Sequence, residues 1–264
     1  MKMQSAYAND PIKYKKGRIF ELDLLRGIAI ILVSYRHTVL RPYCLGTGSP
    51  IPALLWQFGG SGVDLFFVLS GFLIGNLLFK EYIKTSSINI GRFIIRRGLK
   101  IWPSYYFFLG LNFLVLLIVS GNFKNSARVF LPSLIFLQNY FYDFSFYFLK
   151  SLNGSHTWSL CVEEHFYLLL PLLLTIFLSK LHFDKNKFLL PIIFATVAIA
   201  CFALRWLEAF SRTEFSSSQL EMTHFRLDSL FFGVFIAYLF NFCPEQWSRL
   251  AKLGPKLLFL GLLL

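Results

Sequence analysis

The sequence predicts an all-α fold: a polytopic transmembrane helix bundle with about seven or eight spans present and its C-terminal spans missing. Three observations carry this. The chain is 56% hydrophobic and 19% aromatic but only 15% charged, whereas a soluble domain carries roughly a quarter charged residues. Such a chain cannot cover its surface with polar groups, so its exterior faces lipid. Apolar runs of the length that spans a bilayer core of about 30 Å recur along it. Lys and Arg concentrate in alternate connections between those runs.

Taken in order, residues 1–18 are polar and basic and read as a cytoplasmic N-terminal tail. The apolar run that follows resembles a secretory leader. Asp23, Arg26, Arg36 and His37 interrupt it and no small-x-small cleavage site closes it, so it reads as an uncleaved first span. Spans are expected at 20–40, 58–79, 101–121, 157–179, 188–207 and 225–242, with a half-length run at 256–264. The stretch 129–149 is apolar but broken by Gln138, Asn139 and Asp143. Lys80, Lys84, Arg92, Arg96, Arg97 and Lys100 lie between the second and third spans, and Lys180, Lys185 and Lys187 follow the 157–179 run. These clusters and the basic tail place the N-terminus in the cytoplasm. A single crossing by 129–149 would move every later cluster to the wrong side, so that stretch is expected to be re-entrant or to lie along the outer face. No repeat or low-complexity tract divides residues 1–264, which read as one domain.

The positive balance, 26 Lys+Arg against 14 Asp+Glu, does not imply nucleic acid, because the charges form short clusters between apolar runs. Cys44, Cys161, Cys201 and Cys243 are scattered, without CxxC pairs or histidines at zinc spacing, and read as packing residues. No metal is expected.

Ionisable side chains inside a span are costly and are functional hypotheses by default. Arg26 and His37 are eleven residues apart, which on an α-helix puts them on one face about 16 Å apart along the axis. Either Arg26 snorkels to the headgroups and His37 caps the interface, or the two line a functional face. Gly71 and Gly75 form a G-x-x-x-G that admits a close helix neighbour. Ser70, beside them, is a poor nucleophile candidate because no base neighbours it in sequence. In the segment from His156 to Tyr167, Ser159, Glu163 and Tyr167 form one polar stripe at i, i+4, i+8. Thr157 or Ser155 caps that helix. Glu163 and Glu164 point about 100° apart, and at least one should meet a cation, with Arg26 and His37 the candidates. Arg92, Arg96 and Lys100 form a basic stripe that serves either topology and anionic lipid or a phosphate cradle. Arg226 and Asp228 read as a polar pair opening the 225–242 run.

Five motifs in order resemble the membrane-bound acyltransferase 3 family. They are Leu22-Asp23-Leu24-Leu25-Arg26-Gly27 with His37; Gly62-Val63-Asp64-Leu65-Phe66-Phe67-Val68-Leu69-Ser70-Gly71-Phe72-Leu73; and Arg92-Phe93 with Arg96-Arg97, Pro103 and Tyr105. Thr157-Trp158-Ser159-Leu160 with Glu163, Phe166, Tyr167 and Pro171 follows, then Phe225-Arg226-Leu227-Asp228 with Gly233. The resemblance implies a multi-pass protein of the bacterial inner membrane. It would move an acyl group, usually acetyl, from acetyl-CoA or another acyl-CoA to a hydroxyl of a cell-surface or exported carbohydrate such as a polysaccharide, lipopolysaccharide or glycolipid. Acyl-CoA would be a co-substrate, with no permanently bound cofactor. With that activity in view, His37 and Glu163 are the expected catalytic residues, and Arg26, Arg92, Arg96 and Arg97 the expected donor-binding ones. Asp64, Trp158, Ser159, Tyr167, Arg226 and Asp228 would bind the acceptor. His165 carries no assigned role.

The expected mechanism brings CoA from the cytoplasm, its phosphates on the arginines and its pantetheine arm running towards His37. His37, held by a carboxylate such as Glu163, would act as general base on a hydroxyl arriving from outside; an acyl-His intermediate is the alternative. A carrier or flippase for an amphipathic glycoconjugate would use the same buried charges, but the internal repeats common in transporters are absent. The third alternative is an inactive truncated family member.

Overall fold

The computed structural model describes residues 20–38, 50–141, 157–180, 189–211 and 221–263. The basic tail, Cys44, Ser155 and positions 142–149 lie outside the described residues. Within them the fold is all-helical: α1 (Phe20–Thr38), α2 (Pro50–Thr85), α3 (Ile90–Ser120), α4 (Phe123–Leu134), α5 (Thr157–Lys180), α6 (Leu189–Ser211), α7 (Leu227–Phe242) and α8 (Pro244–Leu263). Short 3₁₀ turns occupy Gln138–Tyr140 and Thr223–Phe225.

Local chemistry sets the helix ends. The Asn89 side chain accepts the Arg92 backbone N–H at 2.9 Å and caps α3. Gly121, at φ 60°, closes α3 with its N–H on the Leu117 carbonyl. Pro244, which has no N–H to donate, opens α8 after a bend of 119° from α7.

Among the described residues, four helices are able by length and composition to cross a membrane, at Phe58–Thr85, Ile90–Val119, Thr157–Leu178 and Leu190–Ser211, or five if the bent α7–α8 pair is one span. The described residues thus supply four or five of the seven or eight spans expected. The first expected span exists as α1, but Glu21, Asp23, Arg26 and Arg36 within its 19 residues make it too charged to qualify on composition. The described part of 129–149 is α4 and a 3₁₀ turn. Twelve residues reach only about 18 Å, short of the core thickness. Tyr105 and Tyr106 donate to the Ser133 and Leu134 carbonyls at the end of α4 (2.7 and 2.9 Å) and dock it along α3.

α2 and α5 are central and α3 and α6 peripheral: about half of the most apolar stretch of each central helix is buried, against 17% in α3 and α6. The exposed Phe107, Leu114 and Ile118 of α3, and Ile199, Phe202 and Phe210 of α6, form the lipid-facing exterior. The core gathers Phe67, Ile74 and Leu78 of α2, Val162, Phe166 and Leu170 of α5, and Leu230 and Val234 of α7. α7 reaches α2 closely because both are glycine-bearing at the contact. A Cβ on Gly71 would overlap the Leu230 carbonyl, and one on Gly233 would overlap the Val68 carbonyl. The G-x-x-x-G at Gly71 and Gly75 thus does the packing expected of it. α1 lies against the other half of α2, where Gly62 meets Ala29, Leu32 and Val33, and Gly59 meets Arg36.

Candidate functional site: a polar ladder through the bundle

The polar side chains of the core are stacked in levels along α2. At the C-terminal end of α2, its last turns and the first turns of α3 enclose a cleft of about 740 Å³. Lys80, Lys84, Arg92, Arg96, Arg97 and Lys100 line it with Glu81 as the single acid. The helical stripe Arg92, Arg96, Lys100 is therefore continued by α2 lysines into a concave cationic surface. Asn89 fixes the connection, its backbone N–H donating to Glu81 Oε1 at 3.2 Å.

Arg97 links this cleft to the next level. Its guanidinium lies 5.8 Å from the Tyr167 ring and 6.0 Å from the Phe93 ring. Tyr167 neighbours both Ser70 and Glu163. Ser70 Oγ donates to Glu163 Oε1 at 2.5 Å, and both residues are buried. Arg26 of α1 and Arg97 of α3 are the cations whose charge reaches Glu163 and its neighbours. Arg26 Nε is buried without a hydrogen-bond partner among the described residues. Of the two candidates to meet the carboxylates, Arg26 is the one whose charge reaches Glu163. His37 is exposed in the last turn of α1, about 16 Å further along that helix.

Glu164 turns to the other side of α5, as adjacent helical positions must. It accepts the Trp102 indole N–H at 3.3 Å, and its Oε1 is buried without a partner among the described residues. Ser159 is half-buried one helical turn from Glu163, so the stripe Ser159, Glu163, Tyr167 is real, and Glu163 and Tyr167 converge on α2.

Above that level Arg226 Nη1 bonds Asp64 Oδ1 at 3.1 Å, and Ser229 donates to the same oxygen at 3.1 Å. The Arg226 guanidinium lies 5.5 Å from the Trp158 ring, itself packed edge-on to Phe67. Arg226 and Asp228 do not pair with each other as expected. Asp228 pairs with Arg205 of α6, which also donates to the Phe225 carbonyl at 2.9 Å. The two residues stand at the opening of α7, where each reaches a different neighbouring helix.

Several participants escape a reading of the sequence. Ser70 has no base beside it in the chain, yet Glu163, 93 residues away, supplies a carboxylate. Arg205 had a readable signal, a lone guanidinium in the 188–207 run. His165 serves the packing of the loops, where its Nδ1 lies 2.7 Å from Thr223 Oγ1, which also accepts from the Asn139 amide at 2.9 Å. This knot joins the two 3₁₀ turns to α5. Cys161 and Cys201 are buried and unpaired to one another.

The Acyl_transf_3 family model, described as an acyltransferase domain, matches residues 19–264. The chain belongs to this acyltransferase family. A Staphylococcus aureus (strain COL) protein named as an O-acetyltransferase is 32% identical to this acyltransferase-family chain over 239 residues, covering 86% of the chain and 36% of the relative. The peptidoglycan O-acetyltransferase OatA of Listeria monocytogenes is 32% identical over 193 residues, covering 69% of the chain and 28% of its own length. The chain thus spans about a third of the length of the curated relatives it matches. No solved structure matches. The family is the one that the five motifs resemble; those motifs supply Arg26, Asp64, Ser70, Arg97, Trp158, Glu163, Tyr167 and Arg226 of the ladder, while Lys80, Lys84, Lys100 and Ser229 lie outside them.

Proposed function

We propose that the protein is a membrane-bound O-acyltransferase that moves an acyl group, acetyl in the first instance, from cytoplasmic acyl-CoA to a hydroxyl of a cell-surface or exported carbohydrate. The observation that carries this reading is the polar ladder itself. A cationic cleft suited to phosphates opens at one end of the bundle, and buried carboxylate, hydroxyl and guanidinium groups lead from it through an otherwise apolar core. The names of the relatives support O-acetyl transfer, and the Listeria relative's name attaches that chemistry to peptidoglycan, a carbohydrate polymer.

The basic cleft belongs on the cytoplasmic side by the positive-inside rule, which puts the N-terminus there too. α1 is a further span on this reading, its Arg26 met inside the bundle. CoA phosphates bind Arg92, Arg96 and Arg97, where planar guanidinium groups suit them. The thioester arm passes the Glu163 level, beside Arg26, towards the end of α1 that carries His37. There His37 takes the proton of the acceptor hydroxyl. The oxygen attacks the thioester carbonyl, and the CoA thiolate leaves and regains a proton. The acceptor is held by Asp64, Arg226 and Trp158, with Ser159 and Asp228 bordering that level. Glu163 fixes the charge and orientation of Arg26 and Tyr167 along the path.

The test is transfer of radiolabelled acetyl from acetyl-CoA into base-labile ester on surface glycan, in membranes containing the full-length protein. Wild type is expected to transfer label. His37→Ala, at equal membrane abundance, is expected to lose at least about a hundredfold, the usual contribution of a general base. No transfer by wild type refutes the function; full activity in His37→Ala refutes its role as base.

A further inference from the structure

Building on the acyl-CoA reading, one question is how a polar donor arm crosses an apolar core. The arm of CoA between pyrophosphate and thioester is pantetheine, an uncharged chain carrying two amides and a hydroxyl. Each amide that enters an apolar interior without a partner is penalised. A passage for such a chain therefore needs donors and acceptors spaced along it.

The bundle has one such set next to the cleft. Arg97 both lines the cleft and covers the Tyr167 ring. Behind it Tyr167 neighbours a buried hydrogen-bonded pair, Ser70 and Glu163. Arg26, whose charge reaches Glu163, has a buried Nε–H with no acceptor among the described residues. An unpartnered buried donor is uncommon in native interiors and calls for an explanation. The set offers what an amide requires: a carboxylate and hydroxyl oxygens to accept its N–H, and hydroxyl and guanidinium N–H groups to satisfy its carbonyl. It contains no second unpaired anion, and the phosphate-binding charge is concentrated in the cleft outside.

We infer that Ser70, Glu163, Tyr167 and Arg26 form the subsite for the amide-bearing pantetheine arm of the donor, with Arg97 as the residue the arm passes on leaving the cleft. Arg26 then gives its Nε–H to an amide carbonyl, and its assignment moves from the phosphates to the arm. Tyr167 likewise moves from the acceptor to the donor. The basic cleft holds the nucleotide end alone.

Equilibrium binding to the purified full-length protein separates the two parts, with labelled pantetheine as the arm and labelled adenosine 3′,5′-bisphosphate as the phosphate end. Ser70→Ala and Tyr167→Phe are each expected to weaken pantetheine binding about tenfold, equivalent to ~1.4 kcal/mol, and to leave bisphosphate binding unchanged. Arg92→Ala combined with Arg96→Ala is expected to do the reverse. Retained bisphosphate binding reports that the variants are folded. Unchanged pantetheine affinity in both Ser70→Ala and Tyr167→Phe, or equal loss of both ligands in both variants, overturns the subsite. A wild-type protein that binds bisphosphate but not pantetheine overturns it too, while leaving the donor cleft standing. A wild type that binds neither overturns the acyl-CoA reading with it.

Discussion

The contact of α2 with α7 sets the spacing of the whole ladder, and glycine substitutions test it quantitatively. At Gly71 the obstacle to a Cβ is the Leu230 backbone, with the carbonyl oxygen overlapped and the carbonyl carbon at 2.9 Å. Backbone cannot rotate away, so Gly71→Ala must push the helices apart. Overpacking of this kind costs about 1–3 kcal/mol, and the rigid obstacle puts it near the upper end. The gain in helix propensity returns about 0.5–1 kcal/mol, leaving a net loss of about 2 kcal/mol. At Gly75 the nearest atoms are Ala237 Cβ at 3.2 Å and Val234 Cα at 3.3 Å. A shift of a few tenths of an ångström relieves them, so Gly75→Ala is expected to be nearly neutral. Gly110 on α3 has nothing within 4 Å of an added Cβ, and Gly110→Ala should stabilise by about 0.5–1 kcal/mol. At roughly 2–4 °C per kcal/mol for a chain of this size, the Tm of Gly71→Ala should fall by about 4–8 °C while that of Gly110→Ala rises slightly. Thermal unfolding of the detergent-purified protein, followed by size-exclusion of the surviving fraction, measures the series. Equal Tm values for Gly71→Ala and Gly110→Ala would refute the close approach of α2 and α7.

The remaining expectations concern the end of the bundle away from the cleft. Asp64 is 42% exposed in its ion pair with Arg226, so solvent screening limits the pair to less than about 1 kcal/mol. A double-mutant cycle of Asp64→Asn with Arg226→Ala should give a coupling in that range, and Arg226→Ala alone should cost more because the Trp158 stacking goes with it. A coupling several times larger would mean that the site is much drier than its exposure indicates. His224 sits outside the spans, stacked on Tyr140. Burial lowers its pKa below the ordinary imidazole value of 6.5, partly opposed by the Glu208 carboxylate. The folded state therefore binds fewer protons than the unfolded one, and stability should fall as pH drops from 6.5 through the lowered value. His224→Gln should flatten the Tm–pH curve in that window, and an unchanged slope would place the acid sensitivity elsewhere.

What the sequence disclosed and what it withheld divide along a physical line. Helices and their faces follow from local pattern, so the apolar runs, the Gly71–Gly75 contact surface and the Ser159–Glu163–Tyr167 stripe were legible. Helix extent was less so. α2 and α3 run well beyond their apolar segments, to Thr85 and from Ile90, because polar ends need no membrane to remain helical once the Asn89 cap is in place. Which charge meets which was legible only for Arg26 and Glu163. Asp64 finds Arg226 at a separation of 162 residues and Ser70 finds Glu163 at 93, pairings that depend on how far each helix slides along α2.

That sliding also explains why α1 defeats a composition test. Its Glu21, Asp23, Arg26 and Arg36 count against a span when the helix is read alone. In the bundle, Arg36 folds over Gly59 and Gly60 of α2, and Arg26 reaches the level of Glu163. The glycines of α2 are what permit it: side chains at those positions would stand where the α1 arginine now lies. A buried charge is tolerable in such a setting only when a neighbour meets it. The same glycines that bring the helices together therefore set both the fold and the positions of its ionic groups. The cationic cleft, the Glu163 level and the Arg226 level lie in sequence along α2 because one helix, packed closely on two sides, serves as the axis for all three.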